Sequence, residues 1–301
     1  MSVDLDVIVV GGGPAGLSAA LVLGRACREV LLIDDDRPRN AASRAIHGFL
    51  TRDGLTPADF RRLGRDQLAG FPNIRMEDGH VTDIARRAAG GFDVETAKGT
   101  VLCRKLVIAT GVVDTVPDVE GFAEFYGRGI FHCPFCDGWE FRAQGLAAYG
   151  NGAKAAGLAL ELQGWSSDVI VCTDGPSEIS DTDHGKLERN GIPVIEDRVT
   201  AFRGDHERVR EIVFAERPPL PRAAVFFSLG QHQASPLARS LGCQFNEKGT
   251  VDTARHESTN VPGVFVVGDA SRNLQWVALA AAEGAEAAFA IVQALIAESQ
   301  R

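Results

Sequence analysis

Short, wholly apolar runs alternate along this chain with stretches whose apolar residues return at helical spacing. Val7-Ile8-Val9-Val10, Val30-Leu31-Leu32-Ile33, Leu106-Val107-Ile108 and Val264-Phe265-Val266-Val267 are such runs. Without polar alternation they predict strands covered on both faces, as in a parallel sheet. Leu17, Ala20, Leu21 and Leu23 predict a helix after the first run. Thr56-Pro57 predicts the start of another, with Thr as cap and Pro in the first position, continuing through Phe60, Leu63 and Leu68. Arg61, Arg62 and Arg65 fall on its polar face and read as solvated. Val81, Phe92 to Val94 and Gly99 to Val101 predict a small antiparallel sheet with a turn at Lys98-Gly99. Further on, the order repeats: a strand at Leu146 to Tyr149, a helix over Ala156 to Leu162 and a strand at Asp168 to Cys172. Val194-Ile195, Val209 to Phe214 and Val225 to Phe227 are expected to complete that second sheet. The tract from Trp276 to Ala297 is apolar but holds Glu283 and Glu286, which predicts a buried helix rather than a membrane span. Strands alternating with helices over 301 residues predict an α/β protein with room for two domains.

The turns between these elements carry the chemistry. Gly11-Gly12-Gly13-Pro14-Ala15-Gly16 lies between the first strand and its helix, and Asp34 ends the second strand. Glycines in this order let backbone approach a pyrophosphate at a helix start, and an acid so placed accepts hydrogen bonds from a ribose. Gly150-Asn151-Gly152-Ala153-Lys154-Ala155 repeats the motif, with Ala in its third glycine position. Past the matching strand stand Thr173-Asp174-Gly175-Pro176-Ser177-Glu178, with no Arg or Lys. Asp174 would repel a 2′-phosphate, which disfavours NADPH. It could hold the ribose of NADH, or the unit could serve only as a scaffold. Ala109-Thr110-Gly111 and Gly268-Asp269 each end a buried strand, where ligands of such sheets bind.

His132-Cys133-Pro134-Phe135-Cys136-Asp137 is the reactive stretch. Two thiols at this spacing can close a disulfide or stand open as a dithiol, and a neighbouring charge or helix start can favour the thiolate. A zinc site needs four ligands, yet Cys27, Cys103, Cys172 and Cys243 are scattered singly and His132 supplies one ligand at most. A merely structural crosslink does not suit a chain without an export signal, and we expect a cytoplasmic protein. Forty acidic residues against 31 basic ones give a net charge of −9, which argues against nucleic acid or an anionic membrane as partner.

Together these motifs resemble the low-molecular-weight thioredoxin reductase-like flavoproteins over nearly the whole chain. The wording Cys-Pro-Phe-Cys-x-Gly-Trp-Glu, with His47-Gly48-Phe49, is also similar to the branch of gliotoxin- and holomycin-type dithiol oxidases. The resemblance implies two Rossmann-like, three-layer ββα domains, the second inserted in the first. An FAD domain would span 1–114 and 229–301, enclosing a nucleotide-type domain at 115–228 that carries the cysteines. It further implies FAD, a homodimer, and cofactor contacts from Gly11, Gly13, Pro14, Ala15, Gly16, Asp34, Asn40, His47, Val81, Ala109, Thr110, Gly111, Gly268, Asp269, Gln275, Trp276 and Val277. Cys136 would face the flavin, Cys133 would attack the substrate disulfide, and Asp137 would be the acid/base. The expected partner is a thioredoxin-like protein or a small-molecule dithiol or disulfide. Oxygen as acceptor or ferredoxin as donor could complete the electron balance. A non-catalytic FAD-binding redox sensor is the alternative of a different class.

Overall fold

The computed structural model describes residues 5–206 and 208–300, which divide into two compact units. The first comprises residues 1–41, 48–113 and 232–301, the second 42–47 and 114–231.

The first unit opens with β1 (Leu5–Val10), α1 (Pro14–Arg25) and β2 (Val30–Asp34). Then come α2 (Pro57–Leu68), β3 (Ile74–Asp78), β4 (Val81–Arg86), β5 (Phe92–Thr96) and β6 (Gly99–Ile108), and the chain leaves through β7 (Val112–Asp114). Thr56 caps α2 as expected, its hydroxyl accepting the Asp59 N–H at 3.0 Å. Six of these strands run in the order β3-β2-β1-β6-β5-β4 in a seven-stranded sheet whose last member comes from the C-terminal part of the chain, and β7 lies outside it. The expected small antiparallel sheet is therefore not separate. Gly99 to Val101 and Leu106 to Ile108 belong to the single ten-residue strand β6, whose first half, Gly99 to Cys103, pairs antiparallel with β5 while its second half, Cys103 to Ile108, pairs parallel with β1. Burial rises along β6 from an exposed start to three buried residues at its end, so its apolar pattern changes character midway.

The second unit holds α3 (Phe122–Phe125), β8 (Ile130–Phe131), α4 (Pro134–Asp137), β9 (Leu146–Tyr149), α5 (Gly152–Leu162) and β10 (Val169–Cys172). It continues with α6 (Asp181–Arg189), β11 (Val194–Ile195), β12 (Val199–Gly204), β13 (Val209–Phe214), β14 (Leu220–Pro221) and β15 (Ala224–Phe227). A parallel five-stranded sheet runs β11-β10-β9-β15-β8, with a separate antiparallel sheet β12-β13-β14. Val209 to Phe214 thus lies in the antiparallel sheet and not, as expected, in the parallel sheet with Val194-Ile195 and Val225 to Phe227. Its buried and exposed positions largely alternate, as suits a strand covered on one face, whereas β15 is buried throughout.

The chain returns to the first unit through β16 (Gln231–Gln233), α7 (Leu237–Ser240), β17 (Val264–Val266) and α8 (Val277–Ser299). β17 pairs parallel with the second half of β6. By length and composition α8 could cross a membrane. Here Ala280, Ala287, Ala288, Ile291 and Leu295 pack in one core with Leu17, Ala20 and Leu23 of α1. Gly284 makes that crossing close: a Cβ there would lie 2.0 Å from the Ala15 carbonyl oxygen.

Candidate active site

In the first unit the glycine turn after β1 is shaped by close approaches. Gly11 has φ +107°, and a Cβ on it would stand 2.4 Å from the Ala109 oxygen. One on Gly16 would stand 1.9 Å from the Gly11 oxygen. Only glycine admits both contacts. Gly13 differs, since a Cβ there would meet nothing within 4 Å. Pro14 and Ala15 open α1 at this point, and Gly13 caps it without a side-chain hydrogen bond. At Gly13 the start of α1 therefore leaves room for a group to approach the backbone closely, as a pyrophosphate does.

Asp34, at the end of β2, is buried. Its Oδ1 accepts the Gly12 N–H at 3.0 Å, and its Oδ2 meets the Arg61 guanidinium at 2.5 Å. Arg61 also pairs with Asp36 at 2.6 Å, holding that carboxyl below its ordinary range. Burial works against the Arg61 charge, and Asp36 and Asp34 outweigh it. Arg65 stands 3.7 Å from Asp34. Arg61 and Arg65 are thus not simply solvated, in contrast to the exposed Arg62. Helical spacing marks a polar face but not the acid lying under it. Replacing Arg61 by Met is expected to cost about 3 kcal/mol by stranding a buried carboxylate. Thermal melting, with the flavin retained through gel filtration, checks this.

At the same carboxyl end of the parallel strands, Gly268-Asp269-Ala270 forms a tight turn after β17, which pairs with β6. One Arg39 nitrogen donates to Asp269 at 2.8 Å and to Gln275 at 2.6 Å. Beneath the turn, buried Glu283 accepts the Gly268 N–H at 2.7 Å. Burial pushes the Glu283 carboxyl up to about 7, and Arg272 ties it to buried Glu257. None of these braces had a sequence signal beyond Glu283 itself. Trp276 caps α8 and Val277 begins it. Ala109, Thr110 and Gly111 follow β6, the Ala109 N–H donating to the Val10 oxygen at 2.8 Å. Asn40 is half-buried beside Arg39, and the Val81 side chain packs into the core. The open glycine cradle, the acid beyond β2 and the braced turn at Asp269 fit a flavin dinucleotide.

In the second unit Cys133 and Cys136 are joined as a disulfide, with a Cα–Cα distance of 5.3 Å. Cys133 caps the single turn α4 and its Sγ accepts the Cys136 N–H at 3.2 Å. Both cysteines are half-buried; nearby in sequence Phe135, set edge-on to Trp165, and Trp139, under the Arg142 guanidinium, are exposed. Burial pushes the Asp137 carboxyl up to about 7; His47 pulls against that and Glu140 adds to it. His47, expected among the cofactor contacts, belongs to the 42–47 segment of this second unit and stands 3.7 Å from Glu140. Among the described residues no cluster could hold a metal ion. Cys103, Cys172 and Cys243 are buried and only Cys27 is exposed; burial pushes the Cys103 and Cys172 thiols up to about 12.

The second glycine turn is occupied by its own chain. Asn151 Oδ1 accepts the N–H groups of Gly152 and Glu178, each at 2.8 Å, and its Nδ2 donates to the Pro176 oxygen at 2.9 Å. Asp174 accepts the Tyr149 hydroxyl at 2.7 Å and the Val199 N–H at 2.8 Å. A side chain of the same chain thus holds one amide of each turn, Gly12 by Asp34 and Gly152 by Asn151, and Asn151 further ties the second turn to Pro176 and Glu178.

A nucleotide-type unit with a glycine cradle, and a second bearing a Cys-x-x-Cys disulfide beside a half-buried acid, define a disulfide oxidoreductase of the flavin class. Residues 5–284 match the pyridine nucleotide-disulphide oxidoreductase family, and the chain belongs to that family. It is 32% identical over 303 residues to a probable thioredoxin reductase of Arthroderma benhamiae, covering 89% of this chain and 74% of that one. The crystal structure of HlmI superposes with a TM-score of 0.92 at 36% identity, over 98% of this chain and 94% of that one. A putative thioredoxin reductase, TrxB, from Bacillus anthracis gives a TM-score of 0.92 at 29% identity, over 98% and 99%. The protein is a thioredoxin reductase-like enzyme, and its family implies FAD.

Proposed function

We propose that this enzyme exchanges electron pairs between bound FAD and an external dithiol or disulfide through Cys133 and Cys136, without NADPH. The latched second turn carries this reading. Asn151 ties the head of the motif helix to the Pro176 to Glu178 segment through the Gly152 and Glu178 amides, and Asp174 already accepts from Tyr149 and Val199. NADH meets the same obstruction, so the unit serves as the scaffold of the cysteine pair.

FAD, held by the Gly11 to Gly16 turn, Asp34 and the Asp269 region, supplies the two-electron chemistry when bound. The chain's own residues supply thiol exchange and proton control. A substrate thiolate attacks Cys133, and Cys136 leaves with the electron pair of the broken bond. A second substrate thiolate then attacks the sulfur joined to Cys133; the substrate leaves as a disulfide and Cys133 as a thiolate. Asp137 gives or takes the proton at Cys136. The reverse order reduces a disulfide. Exposed Phe135 and Trp139 beside the pair favour an apolar small-molecule dithiol over a thioredoxin-like protein as substrate. Oxygen then serves as the acceptor; ferredoxin would be needed as donor for the reductive direction. The proton-holding acid next to the pair favours turnover over a sensing role.

Titrating the anaerobic protein with NADPH and NADH tests the latch. Neither is expected to bleach the flavin at micromolar concentration. Rapid bleaching by either would show that the second turn opens to a nicotinamide and would overturn this reading.

A further inference from the structure

The turn after β17 rests on a carboxylate that thiol exchange does not use. Glu283 belongs to α8, one residue before Gly284, where α8 crosses so near α1 that a Cβ would stand 2.0 Å from the Ala15 oxygen. That crossing gives Glu283 a fixed place under the turn. Its Oε2 accepts the Gly268 N–H at 2.7 Å, and its Oε1 accepts the Arg272 Nε–H at 3.0 Å. Arg272 also donates to Glu257, whose side chain is 1% exposed and which takes the Thr253 hydroxyl at 3.0 Å. Glu257 and its neighbour His256 both have φ +58°, a conformation that residues with a Cβ disfavour. Local backbone preference therefore does not bring Glu257 to Arg272; its contacts hold it there. Gly268 itself has φ +74°, and a Cβ on it would stand 3.1 Å from the Ala15 Cβ, so the turn lies against the start of α1. Ser271 closes the turn, its N–H and hydroxyl both donating to the Gly268 oxygen, at 3.0 and 3.2 Å.

We propose that Glu283 is a positioning residue of the flavin site: its ionised carboxylate, aligned by Arg272, fixes the Gly268 amide and with it the Asp269 turn, and a proton on Glu283 loosens that turn and weakens the retention of FAD. The donors set the direction. The Gly268 N–H and the Arg272 Nε–H each need an acceptor, and an ionised carboxylate offers both its oxygens. A proton taken from solvent makes one oxygen a donor, so one of the two groups is left facing a hydrogen. Burial pushes the Glu283 carboxyl up to about 7; the Gly268 N–H and Arg272 pull against that, and Glu257 adds to it. The turn is held above that pH and eased below it. Other charged groups nearby are paired elsewhere: Asp269 with Arg39, and His256 with Glu286 on the exposed side of α8. From α1 the contacts at this crossing are Ala15 and Ala19, which carry no charge. This proposal rests on the reading of the first unit as the holder of FAD.

The test is the rate at which the purified holoenzyme releases FAD on dilution, read against pH as the return of free flavin fluorescence. Wild type is expected to release FAD about tenfold faster near pH 6 than near pH 8.5, the worth of one hydrogen bond to a charged group. Glu283→Gln offers one acceptor and one donor at every pH, so it should release FAD at the fast rate throughout, without a slope in this range. Arg272→Gln changes a solvent-reached side chain and removes the cation that opposes protonation. It should move the midpoint of the wild-type profile about one unit upward, and it decides the matter if Glu283→Gln does not fold. A flat wild-type profile overturns the proposal. So does a folded Glu283→Gln variant that keeps the wild-type slope, whatever its absolute rate, or an unmoved midpoint in Arg272→Gln. Failure of the cofactor reading looks different: the protein would then be colourless as purified and would take up no added FAD at any pH.

Discussion

Cys136→Ser is expected to lower turnover with a dithiol substrate by about 10³-fold or more while leaving the protein folded and yellow, because removing one member of a unit that acts together removes nearly all of its effect. The variant keeps Cys133, whose thiolate can still attack a disulfide and expel one of its thiols. It cannot release the other by internal exchange, since the resolving sulfur is gone. When a linear disulfide is supplied, a stable mixed disulfide at Cys133 is therefore the accompanying result, visible as a mass increase equal to the bound thiol less one hydrogen. The exposed Cys27 is far less suited to substitute, because it has no neighbouring thiol to resolve it. Nor can the buried Cys172 and Cys103, whose thiols are held protonated by their surroundings. Turnover at the wild-type rate would show that the disulfide is structural.

Asp137→Asn is expected to cost about 10²-fold in turnover, the usual worth of a placed proton carrier, and to change two pH profiles. Burial holds the Asp137 carboxyl near 7 in the folded protein, against about 3.9 in an unfolded chain. The folded state thus binds this proton more tightly. The group's contribution to stability is full below about pH 4, falls as pH rises towards about 7, and is flat above. The asparagine variant should lose that slope, so wild type and variant should differ more in their melting temperatures at one end of this window than at the other. In wild-type kinetics, a limb with an apparent pKa near 7 should appear for whichever half-reaction uses the protonated acid, and it should vanish in the variant. A limb that survives the substitution would assign the proton to another group.

Much of this organisation is legible in the sequence because it depends on short local patterns. The glycine turns, the apolar strands that flank them and the Thr56-Pro57 helix start are each set within a few residues, and the structure has all of them. The Cys-x-x-Cys spacing likewise places both sulfurs on one turn, where they meet. Sequence reading fails where a contact joins distant segments. Arg61 looks solvated by helical spacing, yet α2 lies so that its guanidinium reaches Asp34 and Asp36. Asp174 has the spacing of a ribose ligand, but Tyr149 on the neighbouring strand claims its carboxylate first. Asn151 occupies a motif position where any residue is tolerated, so its three latching hydrogen bonds had no pattern to announce them. His47 and Asp114 lie far in sequence from the cysteines, and only the folding of the second unit gathers them near the motif.

The most direct measurement is the visible flavin absorbance of the purified protein under argon after a dithiol is added, read side by side for wild type and Cys136→Ser. The wild-type flavin should bleach rapidly and regain its colour when air is admitted, while the variant should stay yellow. A wild-type flavin that ignores the dithiol, or a variant that bleaches equally fast, would contradict electron-pair exchange through the Cys133–Cys136 bond.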